Sequence, residues 1–371
     1  MTAARVIDVD SHVEEPEEAW AALEPAFAAR RPTIVTAPEG ALTTKQDAFW
    51  LVDGRLHPNP QGPGRMFFGT PAVSSFGQAK ATSYGSQTLL DPAARLRDMD
   101  AEGLDVQVLF STVFLSPLTE DVAFQAALMR SWNTWMAGVC RYAPERLKWA
   151  ALLPLQSPPA AVEELRRVKE LGAACVAIFG TAGGKLLHEP EFDPFYAEAA
   201  RLDLPVCIHT GWSHPGLTAS CRGTYAALLI GFSLPPLMGF FSIVGGGVLD
   251  RHPGLRVAFY EAGADWLPYY VQRMDQYWLA HHRIDTSDLP ARKPSEYLRD
   301  GRIFFTCEGD EELLPRVIAM LGEDQVMLSA DMPHVEAREN SFQEIRERGD
   351  LTEAVKAKII GGNAERFLGL R

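Results

Sequence analysis

Cysteine, basic charge and long apolar runs are all scarce in this chain, and each shortage argues against a class of protein. The five cysteines, Cys140, Cys175, Cys207, Cys221 and Cys307, are scattered, odd in number and never spaced as CxxC. They imply neither a disulfide framework nor a thiolate zinc site, and they fit a reducing cytoplasm. Cys175, Cys207 and Cys307 sit in apolar runs and read as buried core thiols. Lys and Arg number 35 against 48 Asp and Glu, a formal net charge of -13. That balance offers no broad basic surface for phosphates, which argues against a nucleic-acid partner, and it draws the chain little toward anionic membranes. No run of eighteen apolar residues is found, and the N-terminus lacks a charged-then-apolar signal pattern. Neither a membrane span nor a leader is therefore expected.

What is present is a long, core-rich chain. Its 371 residues are 47% hydrophobic and only 22% charged, so wholesale disorder is excluded. Short apolar, β-branched runs alternate with helical stretches. The runs are Val6–Asp10, Val106–Phe110, Trp149–Pro154, Cys175–Phe179, Val206–His209, Arg256–Tyr260, Ile303–Thr306 and Val326–Ser329. Between them lie amphipathic segments such as AAVEELRRVKELGA and ELLPRVIAMLGED. Continuous apolar runs separated by helices indicate a parallel sheet covered on its faces. Eight such units favour a closed α/β architecture, the (β/α)₈ TIM barrel, over an open doubly wound sheet. No GxGxxG follows the first run to support the open alternative. The glycines of GGGVLDRHPGL have no strand before them and read as a turn and helix end.

One insertion breaks the rhythm. Residues 16 to about 88 separate the first strand from the helix that leads to the second, far longer than an ordinary connection. The segment PNPQGPGRMFFGTPAVSSFGQ inside it is rich in Gly, Pro and aromatic residues. It suggests a lid whose Phe67, Phe68 and Phe76 wall an apolar substrate pocket; a structural or oligomer-contact loop is the alternative. A second excursion, from Ser213 to about Gly247, follows the fifth strand. Neither is read as a second domain, so residues 1–371 form one barrel.

In a barrel the chemistry lies at the C-terminal ends of the strands. Here the first run ends in Asp8-Val9-Asp10-Ser11-His12 and the fifth in His209-Thr210-Gly211. The sixth ends in Tyr260-Glu261, the seventh in Cys307-Glu308-Gly309-Asp310, and the eighth in Asp331-Met332-Pro333-His334. Carboxylates and imidazoles from five strands would converge on one cavity, where isolated charges are expensive to desolvate. A divalent cation resolves that repulsion. Two imidazoles with two carboxylates suit Zn²⁺, with Mn²⁺ or Mg²⁺ as other possibilities. Strand alternation turns Asp8, Asp10 and His12 to one face; Asp10 and His12 reach the metal while Asp8, deeper, orients a ligand or neighbouring backbone. Trp212 and His214 are expected to line the pocket. His334 either binds a substrate oxyanion or caps the following helix. Glu308 faces the cavity or pairs with Arg273 or Arg302, and His281 and His282 read as exposed on a helix.

The motifs VIDVDSH, DPAARLRDMDAEGLDVQVLF, PVCIHTG, HPGLRVAFYEAGADWLPYYVQRMD, MLSADMPH and GGNAERFLGL run the length of the chain. Together they resemble the amidohydrolase superfamily, and within it the branch of aminocarboxymuconate-semialdehyde and resorcylate-type decarboxylases. The resemblance implies Asp10, His12, His209 and Asp331 as metal ligands, with Asp331 also handling a proton. It implies one metal rather than two, because no strand-four lysine is present to bridge a pair. Relatives of this type are commonly homodimers. Many also carry a histidine where this chain has Glu261, which could serve as general base, bind the metal or only hold structure.

Three readings of the chemistry compete. The leading expectation is hydrolysis of a small, largely apolar carboxylated or carbonyl substrate. In it a metal-activated water attacks an amide, ester, thioester or activated C–C bond, with Asp331 and Glu261 as proton carriers. Its rival is non-oxidative decarboxylation of an aromatic or unsaturated acid, with Asp331 or Glu261 protonating the carbon. The absent sixth-strand histidine tips the choice toward hydrolysis. A third reading has a metal-free barrel acting through its carboxylates and histidines, or only binding.

Overall fold

The computed structural model describes residues 5–38, 40, 46–60, 82–334 and 341–370. Eight parallel strands form a nearly closed barrel: Ile7–Val13, Val106–Ser111, Leu147–Leu152, Cys175–Phe179, Val206–His209, Val257–Tyr260, Ile303–Cys307 and Val326–Leu328. These are the eight runs of the sequence, displaced at their ends by three residues or fewer. The strands show little inside–outside alternation because both faces are covered. Val206–His209, Val257–Tyr260 and Ile303–Cys307 are buried throughout.

Helices between the strands begin and end where local chemistry says they should. Pro92–Glu102 is capped by the Asp91 carboxylate, which accepts from Ala94 N at 3.1 Å, and it stops at Gly103 in the left-handed region. Pro158–Leu171 opens on proline, whose fixed φ suits a first turn, and ends at Gly172 with φ 90°.

The barrel closes between the first and eighth strands through main-chain bonds just beyond the eighth. Asp331 N donates to Asp10 O at 2.9 Å, and His12 N to Met332 O at 2.6 Å. Arg95, fully buried, pins this seam from below. Its guanidinium donates to His12 O at 3.2 Å, to Met332 O at 3.4 Å and to Gln107 Oε1 at 2.8 Å. Gln107 in turn donates to Asp8 and Ser11.

The first insertion carries structure of its own. Thr33–Thr36, Ala48–Val52 and Arg55–His57 form a three-stranded antiparallel sheet; Trp20 packs edge-on to Trp50 within the insertion and also against Phe114 of the barrel, which ties the two together. Phe67, Phe68 and Phe76 lie outside the described residues, as does the expected lid wall they would form.

The second excursion carries an apolar helix that the count of uninterrupted apolar residues passes over. Thr224–Gly245 is a continuous 22-residue helical stretch whose most apolar window has a mean hydropathy of 1.9, long and apolar enough to cross a membrane by length and composition. A strict apolar count misses it because Thr224, Ser233, Pro235, Pro236 and Ser242 interrupt the run. In the fold 56% of its most apolar window is buried, with Phe240 against Phe259 and Phe305 of the sixth and seventh strands. It widens into π-helix at Ala227–Phe232 and Phe241–Gly245, on either side of the Leu234–Phe240 segment in which Pro235 and Pro236 offer no N–H to the ladder. Gly180 lets it come this close: a Cβ there would lie 1.8 Å from Pro235 O.

Candidate metal centre

At the mouth of the barrel the first strand does not alternate cleanly. Its pairing register against the second strand shifts between Asp8 and Ser11, so one residue bulges out. This departs from the simple prediction that Asp8, Asp10 and His12 share one face, and it separates their jobs. Asp8 faces protein: its carboxylate accepts from Ser11 Oγ at 2.5 Å, Ala330 N at 3.1 Å and Asp10 N at 3.2 Å. Burial pushes its carboxyl up to about 6 in spite of those donors. Asp10 and His12 face the cavity.

Four side chains from three strands meet there. One ligand atom from each of Asp10, His12, His209 and Glu261 lies within 4.8 Å of the others. His209 Nε2 is 3.2 Å from Asp10 Oδ1 and 3.5 Å from Glu261 Oε2, and His12 Nε2 is 3.5 Å from Asp10 Oδ1. A second group, His12, Asp331 and His334, adjoins it through the shared imidazole, with His12 Nε2 3.4 Å from Asp331 Oδ1. The structure therefore draws Glu261 into the four-residue cluster and sets Asp331 in the adjoining one.

Both imidazoles are oriented from behind. His12 Nδ1 lies 3.1 Å from Ser111 O and His209 Nδ1 3.0 Å from Thr210 O. A carbonyl can only accept, so each Nδ1 carries a proton and each Nε2 is turned into the cluster. His12 Nε2 and Asp10 Oδ2, both buried, make no hydrogen bond among the described residues. Burial works against charge on His209, but Asp10 beside it outweighs burial and raises it to about 9. Burial would likewise push Asp10 up; the two imidazoles reverse this and hold its carboxyl well below the usual range. Burial and the neighbouring His334 ring push His12 down to about 3, which leaves it neutral. The carboxylates of the cluster thus call for positive charge at its centre, which a proton on His209 supplies when no ion is bound. Buried lone pairs on nitrogen and carboxylate oxygen are the donor set for a divalent cation, so the residues fit such an ion.

A model of the amidohydrolase family matches residues 7–370. The chain belongs to that family. The 2-amino-3-carboxymuconate-6-semialdehyde decarboxylase of Dictyostelium discoideum is 28% identical over 282 residues, 76% of this chain and 77% of that protein. The gamma-resorcylate decarboxylase of Rhodococcus jostii is 28% identical over 297 residues, 73% of this chain and 85% of that protein. Among solved structures, the 5-carboxyvanillate decarboxylase of Novosphingobium aromaticivorans shares the fold with a TM-score of 0.71 at 21% identity. The match covers 99% of this chain and 96% of that one, and that structure holds manganese and 4-hydroxy-3-methoxy-5-nitrobenzoic acid.

Placed in this amidohydrolase-family barrel, the other expected site residues divide. His334 is in the site: its ring lies 4.0 Å from that of His12, its Nδ1 2.8 Å from Asp331 Oδ1, and its Nε2 3.0 Å from Thr112 Oγ1. His214 caps the helix Pro215–Ser220, accepting from Leu217 N at 3.2 Å. Trp212 is buried against Leu115 and Phe232, and its indole donates to Ala227 O. A narrow cleft opens at the exits of the second to fifth strands, beside the cluster's strand exits, lined by Phe114, Leu153, Phe179, Thr181 and Ser213. Ser213, the residue between Trp212 and His214, is the part of that segment reaching it. Arg302 pairs with Asp300 and Arg273 bonds Gln276 and Tyr277. His281 and His282 are exposed at the end of Leu267–His281.

Sequence reasoning missed Ser111, Thr112 and Glu15. Ser111 and Thr112 close the second strand with no charged group to draw notice. Glu15 lies past the end of a strand whose chemistry-bearing residues run only as far as His12.

Proposed function

We propose that this chain is a metal-dependent, non-oxidative decarboxylase of a small aromatic or unsaturated carboxylic acid. The observation that carries the reading is the pair of carboxyl groups, Glu261 and Asp331, both brought close to one imidazole nitrogen: His12 Nε2 is 3.9 Å from Glu261 Oε2 and 3.4 Å from Asp331 Oδ1. Decarboxylation of this kind needs an acid held against the carbon that loses CO₂. The decarboxylase relatives support the same choice over hydrolysis.

Asp10, His12, His209 and Glu261 hold the cation in this reading. Zn²⁺ suits the nitrogens and oxygens, and the manganese in the Novosphingobium structure makes Mn²⁺ the ion to test first. Such an ion, when bound, supplies positive charge for the substrate's carboxylate and an adjacent oxygen. The protein's own part is proton transfer and placement. Asp331, steadied by His334, delivers a proton to the carbon bearing the carboxylate. The C–C bond pair then returns to the unsaturated system as CO₂ leaves, and the Asp331 carboxylate regains its proton from water. Apolar side chains at the neighbouring strand exits, Phe114, Leu153 and Phe179, favour a flat, mostly apolar ring.

The test is a panel of ortho-hydroxy and ortho-amino aromatic acids in D₂O with Mn²⁺-loaded protein. The expected outcome is CO₂ release with one deuterium at the carbon that lost it. A product that incorporates oxygen from labelled water without CO₂ release overturns decarboxylation in favour of hydrolysis.

A further inference from the structure

Glu15 is a carboxyl group with an unusual address. It lies two residues beyond the first strand and is buried, 3% exposed. Its Oε1 accepts from Ser111 Oγ at 2.5 Å and Thr112 N at 3.2 Å, and its Oε2 accepts from Val113 N at 3.0 Å. All of these donors belong to one turn at the exit of the second strand. Burying a carboxyl group is costly, and a turn can be capped by a smaller polar side chain at less cost. Stability of the turn alone is therefore a poor reason for a glutamate here.

The turn that Glu15 grips is the one that orients the site. Ser111 presents the carbonyl that takes the proton of His12 Nδ1, and so sets which nitrogen of His12 faces the cluster. Thr112 Oγ1 meets His334 Nε2 at 3.0 Å, and His334 Nδ1 stands 2.8 Å from Asp331 Oδ1. One side chain thus steadies two arms of the site, the first strand's imidazole and the eighth strand's carboxylate. Neither arm is in hydrogen-bond contact with Glu15 itself.

We infer that Glu15 is a positioning residue for the metal centre, acting through Ser111 on His12 and through Thr112 and His334 on Asp331. This rests on the reading of the cluster as a metal site but not on which reaction it runs. Gln at this position is a poor substitute. Its amide oxygen can keep the bonds from Ser111 and Thr112, but its NH₂ must then face the Val113 N–H, donor against donor.

The experiment measures Mn²⁺ affinity and the electron paramagnetic resonance spectrum of bound Mn²⁺ in full-length wild type, Glu15→Gln, Ser111→Ala, Thr112→Val and, as a stability control, Glu164→Gln. Glu164 is a buried carboxyl on an outer helix, bound to Asn133, Arg130 and Arg167. Glu15→Gln is expected to weaken Mn²⁺ binding about tenfold or more and to alter the spectrum. Glu164→Gln is expected to lower the melting temperature and leave both unchanged. Ser111→Ala and Thr112→Val should each show part of the Glu15→Gln effect, and they carry the test if that variant does not fold. Two results overturn the inference alone. One is Mn²⁺ binding within about twofold of wild type in Glu15→Gln, or in both lesser variants where Glu15→Gln does not fold. The other is an equal loss in Glu164→Gln. Wild-type protein that takes up no divalent ion overturns the metal reading and this inference together.

Discussion

Glu261 and Asp331, at the exits of the sixth and eighth strands, share a backbone state that neither residue type favours: each sits in the left-handed region at φ 55°. Thr306 Oγ1 accepts from Glu261 N at 3.0 Å, and Asp331 N is held by Asp10 O at 2.9 Å, so the surrounding structure enforces both. Non-glycine residues adopt this region at a cost of about 1–2 kcal/mol. The return is direction. The chain turns sharply as it leaves each strand, and the two carboxyl groups come around toward His12.

Glu261→Gly tests that strain directly. Glycine enters the left-handed region freely, so in chelator-treated protein the change should give a higher free energy of unfolding than Glu261→Ala, by about 1 kcal/mol at most once glycine's own entropy loss is counted. Turnover should fall, because a side chain of the four-residue cluster is gone. Glu261→Ala loses the same side chain and its bond from Thr210 Oγ1 but keeps a Cβ, so chemical denaturation of the two metal-free variants checks it; a Gly variant less stable than the Ala variant would show that the conformation carries no strain.

Asp331→Asn separates shape from chemistry. Asparagine is among the few residues that tolerate the left-handed region, so the fold and melting temperature should hold. The amide cannot deliver the proton, and kcat is expected to fall about 100-fold or more, the usual worth of a positioned acid. Steady-state kinetics with a substrate from the acid panel would decide, and a kcat within a few fold of wild type would remove Asp331 from the proton path.

Removing the ion should cost both activity and stability. The cluster has its lone pairs turned inward, so a chelator should lower the melting temperature, and Mn²⁺ should restore it. At a free concentration 100 times Kd the expected gain is about 2.7 kcal/mol. Thermal unfolding with and without Mn²⁺, repeated with Zn²⁺ and Mg²⁺, tests the centre and ranks the metals. A melting temperature indifferent to all three would argue for the metal-free barrel.

The pH dependence of stability offers an independent reading of Glu15. Burial pushes its carboxyl up from 4.5 to about 7, against the pull of its hydrogen bonds. The folded state then holds the proton more tightly than the unfolded one. Its contribution is fully present below about pH 4.5 and is lost as pH rises toward 7. Asp8, raised to about 6, slopes the same way, so the diagnostic quantity is a difference. Stability of wild type minus that of Glu15→Gln should decline across this window, and a flat difference would contradict the shift.

Legibility in the sequence varies from one feature of this barrel to the next. The eight strands were legible because a strand buried on both faces is a local apolar run, and the residues that close each run are its immediate chain neighbours. Asp10, His12, His209, Glu261 and Asp331 all came from that simple reading of strand ends. Other features depend on register and on partners far away in the chain. The bulge in the first strand separates Asp8 from Asp10, and only the pairing with the second strand reveals it. His334 joins the site because the seam between first and eighth strands lays its ring on His12. The helical stretch Thr224–Gly245 could be counted as apolar or interrupted, and Gly180 and the sixth and seventh strands decide where it packs.

The sequence by itself determined the barrel and the addresses of its charged groups, since periodicity and strand ends are properties of neighbouring residues. The tertiary structure alone decided which nitrogen each imidazole turns inward and which carboxyl group joins the four-residue cluster. It alone brought Glu15 onto the turn behind His12. Except for His209, whose Nδ1 faces the carbonyl of its neighbour Thr210, these are contacts between residues 52 to 249 positions apart, and they exist only once the strands close on one another.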